Sequence, residues 1–83
     1  MSLDNYEKTV IKISKSTIYV DIRESLEKEN KPFFKELLKN KKLKSFIEKK
    51  TEYIYSQLLL FITNGMNEAE AYIYLKNEVI YEQ

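Results

Sequence analysis

Apolar residues recur at helical spacing along the second half of the chain. Leu43, Phe46, Ile47, Ile54, Leu58, Phe61 and Ile62 form one stripe, which predicts a helix over 43–63. Lys44, Glu48, Lys49 and Glu52 fall away from its centre and face water. Near its end the stripe widens into a continuous apolar run over 58–62, which places this turn in mid-core or at a subunit contact. A last helix is predicted over 68–81, where Ala69, Tyr72, Ile73, Val79 and Ile80 share a face with Leu75 on its border. A short helix over 31–40 buries Phe33, Phe34, Leu37 and Leu38. Pro32 fits its first turn, where a missing N–H costs nothing. Asn40-Lys41-Lys42 either separates this helix from the next or lets the two run on as one.

Residues 4–29 support two readings. Thr9 to Ile13 and Thr17 to Ile22 are rich in β-branched residues and read as the strands of a hairpin at about 9–22. Lys15-Ser16 between them is a poor two-residue turn, because neither residue favours positive φ. The helical reading starts from Asp4 and Glu7, spaced as a variant capping box. Tyr6, Val10, Ile13, Thr17 and Val20 then alternate four- and three-residue steps. Ile18, Ile22 and Leu26 make a second row at i, i+4, i+8, and Glu24 stands four residues before Lys28.

The stretch Asn64-Gly-Met-Asn-Glu-Ala-Glu-Ala71 holds the only glycine of the chain. Gly65 adopts a left-handed conformation without steric cost and is read as a helix stop. Met66 follows and packs back on Phe61, in a Schellman arrangement. Asn67 is the next N-cap, with Glu70 as its capping-box partner and Ala71 at the staple position. Glu68 and Glu70 add negative charge to the first turn. A helix-turn-helix DNA binder also places Gly and an apolar residue between two helices. That motif takes a small residue four positions before the Gly, where this chain has Phe61. The following helix also opens with Glu and lacks Arg and Gln to read bases.

Phe46-Ile47-Glu48, Gly65, Ala71 and Val79 together resemble a family of uncharacterised small helical proteins from Bacteroides-type bacteria and their mobile elements. There a Phe-Ile-acidic start opens a long helix, a Gly closes it, and an Ala follows six residues later. The similarity spans about 35 residues. Inside the long helix that family carries alanines and a basic residue, where this chain has Tyr53, Ile54, Tyr55 and Leu60. The resemblance implies an all-α fold and no particular activity.

Composition removes much chemistry. The chain has 83 residues, no His and no Cys, so the commonest general base, thiolate ligands and disulfides are absent. Carboxylate pairs exist at helical spacing, Glu48–Glu52 and Glu24–Glu27, but no Glu-x-x-His motif accompanies them. One Gly excludes Gly-rich phosphate loops. No catalytic residue, cofactor or metal is expected. No secretory signal or membrane span is read, so the expected location is cytoplasmic.

Charge is unevenly spread. Residues 28–50 carry nine Lys against three Glu, or +6, while residues 51–83 carry one Lys against five Glu, or −4. Lys35, Lys39, Lys42 and Lys49 are candidate phosphate contacts for sequence-indifferent nucleic-acid binding through 31–50. Against it, Arg23 is the only arginine. A solvated face, paired with the acidic C-terminal part of the same or a neighbouring subunit, is the plainer reading. Seven tyrosines are more than one small core centre holds. Tyr55, Tyr74 and Tyr81 lie off the apolar stripes and, with Leu59 and Leu60, mark a candidate interface. The expectation is one compact all-α domain over 1–83, a three- or four-helix bundle. Its expected role is that of a non-enzymatic interaction module and homodimer.

Overall fold

The computed structural model describes residues 11–81. Four helices follow one another: α1 (Lys15–Glu29), α2 (Lys31–Lys39), α3 (Leu43–Thr63) and α4 (Glu68–Tyr81). No strand occurs among the described residues, and Thr17 to Ile22 lies inside α1, so the hairpin reading is overturned. The energetics explain the outcome. A β-branched residue costs a helix at most about 0.7 kcal/mol. Fully burying an Ile or Leu side chain contributes roughly 1.5–3 kcal/mol. As a helix, this segment buries Ile18, Ile22 and Leu26 completely on one face.

The helical reading is corrected in its details. The Asp4–Glu7 box, Tyr6 and Val10 lie outside the described residues. The described helix starts at Lys15, where the Ser14 hydroxyl accepts the Thr17 N–H at 3.1 Å. The row containing Thr17 and Val20 is not the buried one, and Val20 is 52 % exposed. Glu27 pairs with Arg23 at 3.8 Å, and no ion pair joins Glu24 to Lys28 among the described residues.

α1 and α2 are separated by Asn30 alone. Pro32 has no N–H to bond the Lys28 carbonyl, and its ring would strike that carbonyl in a continuous helix. The chain therefore turns at Asn30, whose N–H still bonds the Leu26 carbonyl at 2.9 Å. Its side-chain amide donates to the Ile80 carbonyl at 3.0 Å, fastening the corner to the end of α4.

α2 and α3 are distinct helices. Lys42 N–H bonds the Leu37 carbonyl at 2.8 Å, and Lys41 N–H bonds the Leu38 carbonyl at 3.1 Å. This is a Schellman stop with Lys41 in the left-handed region, at φ 57°. Sequence reading finds such stops through glycine, and here a lysine occupies the position. At the second corner Gly65 has φ 94°. Met66 N–H bonds the Phe61 carbonyl, and Gly65 N–H the Ile62 carbonyl, both at 2.9 Å. Asn67 Oδ1 accepts the Glu70 N–H at 3.2 Å. The reciprocal bond from Asn67 N–H to the Glu70 carboxylate is not formed among the described residues, so the box is half closed.

The core joins Ile18, Ile22 and Leu26 to Phe34, Leu37, Leu43, Ile47, Ile54 and Leu58, and to Ala71, Leu75, Val79 and Ile80. α4 buries a face rotated from the expected one. Ala69 and Ile73 are exposed, while Ala71 and Leu75 are buried. Phe46, Phe61 and Ile62 edge the core instead of filling it, and Leu38 is exposed. Of the run 58–62, only Leu58 is fully buried. Thr51 lies in the centre of the α3 stripe at 4 % exposure, and its hydroxyl has no hydrogen-bond partner among the described residues.

Candidate interaction surface

Helix directions decide which side chains meet. The Glu68 carboxylate, at the start of α4, accepts the N–H groups of Lys12 at 3.1 Å and of Ile13 at 3.0 Å. With Asn30 held at Ile80, this sets α1 parallel to α4. α3 runs back against α4. Tyr53 donates its hydroxyl to Glu78 at 2.9 Å, and the Phe61 and Tyr74 rings lie 6.2 Å apart.

The outer row of α3 is Lys49, Tyr53, Ser56 and Leu60, at steps of four, three and four, and all are exposed. Glu70, Tyr74, Asn77 and Tyr81 repeat those steps on α4, again all exposed. The Tyr53–Glu78 and Phe61–Tyr74 contacts join the two rows along one edge. Leu60 is 49 % exposed, and Tyr74 and Tyr81 are each 57 % exposed. Tyr81 also donates to Glu29 of α1 at 3.3 Å.

The expected interface set therefore divides. Leu60, Tyr74 and Tyr81 belong to these two rows. Tyr55 and Leu59, four residues apart, lie on the other flank of α3, both half-buried. There the Lys15 ammonium sits 5.0 Å from the centre of the Tyr55 ring and 3.0 Å from Glu52. Tyr53, left out of the sequence-derived set, is on the surface, and its seven-residue spacing to Leu60 is the signal that finds it.

The lysines divide as well. Lys31, Lys35 and Lys39 stand at four-residue steps on α2. The first two border an open groove of about 320 Å3 with Glu27, Phe34 and Leu38. The opposite edge of α2 carries Phe33, which packs edge-on against Phe46 of α3 at 5.1 Å. Lys42, which caps α3, and Lys49 on it are exposed, and Lys50 lies over the Phe46 and Tyr53 rings at 5.6 and 5.9 Å. No carboxylate lies within ion-pair distance of Lys31, Lys35, Lys39, Lys42, Lys44 or Lys49 among the described residues. The expected pairing with the acidic half of the same subunit is not made there.

Two polar features remain. Asp21 of α1 accepts from Tyr72 at 2.5 Å and Lys76 at 3.3 Å, both on α4. Burial, then the hydrogen bond and negative charge of Asp21, push the Tyr72 phenol far above its ordinary range. An open groove of about 480 Å3 between α1 and α3 is lined by Lys15, Ser16, Tyr19, Glu48, Thr51 and Glu52. Among the described residues no group of three or more acidic side chains is placed to hold a metal ion, and no helix is long and apolar enough to cross a membrane. Compared with protein-family models, curated proteins and solved structures, the chain matches none.

Proposed function

We propose that this protein is a non-enzymatic interaction module that forms a homodimer through the outer rows of α3 and α4. The observation that carries the reading is the joined surface of Tyr53, Leu60, Tyr74 and Tyr81, half-exposed in so small a chain. Aromatic side chains supply much contact area, and their hydroxyls tolerate a wet rim. A chain of this length gains stability from association, since its own core is small. Sedimentation equilibrium of the full chain tests the reading. A dimer that Leu60→Glu or Tyr74→Glu converts to a folded monomer supports it. A monomer at every concentration up to millimolar sinks it.

The lysines without a carboxylate partner among the described residues favour a second reading, sequence-indifferent binding of nucleic acid along Lys31, Lys35 and Lys39. Fluorescence polarisation with a generic duplex would show affinity falling steeply with salt, and weaker binding by Lys35→Glu and Lys39→Glu. Absence of binding at low salt removes it.

A further inference from the structure

The surface shared by α3 and α4 has a direction. Its α3 row begins with Lys49, and Lys42 caps the helix ahead of it; both are exposed, and Lys50 leans over Tyr53. Its middle is the aromatic and aliphatic stretch. Because α4 runs antiparallel to α3, the start of α4 lies at the far end, where the row carries Glu70. Lys42 and Lys49 have no carboxylate partner among the described residues, and the Glu70 carboxylate has no lysine partner there. One face thus holds an apolar centre between a lysine end, where Tyr53 holds Glu78, and an end that carries Glu70, with Lys42, Lys49 and Glu70 unmatched among the described residues.

Such a face is complementary to a second copy of itself in one orientation. A twofold axis through the apolar centre, perpendicular to the helices, lays α3 and α4 antiparallel on their counterparts. The Lys42–Lys49 end of each copy then lies at the Glu70 end of the other, and the juxtaposition occurs twice. A parallel arrangement would set lysine ends together and leave Glu70 against Glu70. Rim charges of this kind choose orientation and suppress wrong pairings more than they add affinity. We infer that the occupant of the α3–α4 face is a second copy of this chain docked antiparallel, with the Lys42–Lys49 end of each copy on the Glu70 end of the other. The inference rests on the homodimer reading and adds the register to it.

The absence of cysteine makes the test direct. Lys49→Cys and Glu70→Cys chains are prepared singly, mixed, and cross-linked with a short bis-maleimide after sedimentation has established the oligomeric state of each. Antiparallel docking predicts efficient linking of Lys49→Cys to Glu70→Cys chains and little linking of either with itself. Separately, Lys49→Glu and Glu70→Lys should each weaken the dimer roughly tenfold at low salt, and the double variant should recover most of the loss. If the wild-type chain is a monomer, the homodimer reading fails. If it is a dimer but Lys49→Cys links to itself, or neither site links, the dimer stands and the antiparallel register is overturned.

Discussion

Tyr72 donates a 2.5 Å hydrogen bond to Asp21, joining α4 to α1 beside the Lys76 ion pair. The acceptor is a carboxylate, so the bond is charge-assisted, and the half-buried phenol is partly shielded from water. Tyr72→Phe leaves Asp21 with Lys76 and is expected to lower stability by about 1–2 kcal/mol at pH 7, read from the urea midpoint. The pH dependence has a definite sign. The folded pKa of Tyr72 is raised, so above pH 10 the unfolded chain releases a proton that the native state keeps. This contribution is complete below pH 10 and is lost as pH rises further. The gap between wild type and Tyr72→Phe should therefore narrow above pH 10. A gap constant to pH 11 would contradict the assignment.

Lys41 and Gly65 hold the same left-handed helix stop with opposite residue choices. Lys41→Gly relieves a strained non-glycine position and should stabilise by roughly 0.5–1 kcal/mol. At Gly65 an added Cβ would meet no described residue within 4 Å, and backbone strain at φ 94° opposes it. Gly65→Ala should cost about 1 kcal/mol, and Gly65→Val rather more, because its side chain is β-branched. Chemical denaturation with an unchanged m-value checks both signs.

Thr51 buries a hydroxyl in the α3 stripe that no described residue pairs. Thr51→Val keeps the shape and removes the uncompensated polar atom. The expected gain is about 1 kcal/mol, visible as a higher Tm. A loss of stability would mean that the hydroxyl is satisfied in solution.

Glu68 fixes the segment entering α1 by accepting two backbone N–H groups, from Lys12 and Ile13. Glu68→Ala frees those donors to water and should cost about 1 kcal/mol. Hydrogen exchange at Lys12 and Ile13 should rise while the α3 core stays protected. Unchanged exchange at these amides would refute the contact.

Much of the architecture is legible in residue spacing. The stripes predict helices at 43–63 and 68–81 because a 3.6-residue period is a local property of the chain. Pro32, Asn67 and Gly65 place corners because their effects act on neighbouring peptide groups. Other features depend on which elements become neighbours. Whether 15–29 is helix or hairpin turns on a core that can receive Ile18, Ile22 and Leu26, since local propensity differs by less than that burial returns. The buried face of α4 is set by where α1 and α3 lie, which is why Ala71 and Leu75 go inside while Ile73 stays out. The separation of Tyr55 and Leu59 from Leu60, Tyr74 and Tyr81 follows from α3 having two different neighbours on its two flanks. Periodicity alone determines that this chain makes amphipathic helices with sharp corners. Only the packing of those helices decides which aromatic side chains remain at the surface together, because a surface is what long-range contacts leave uncovered.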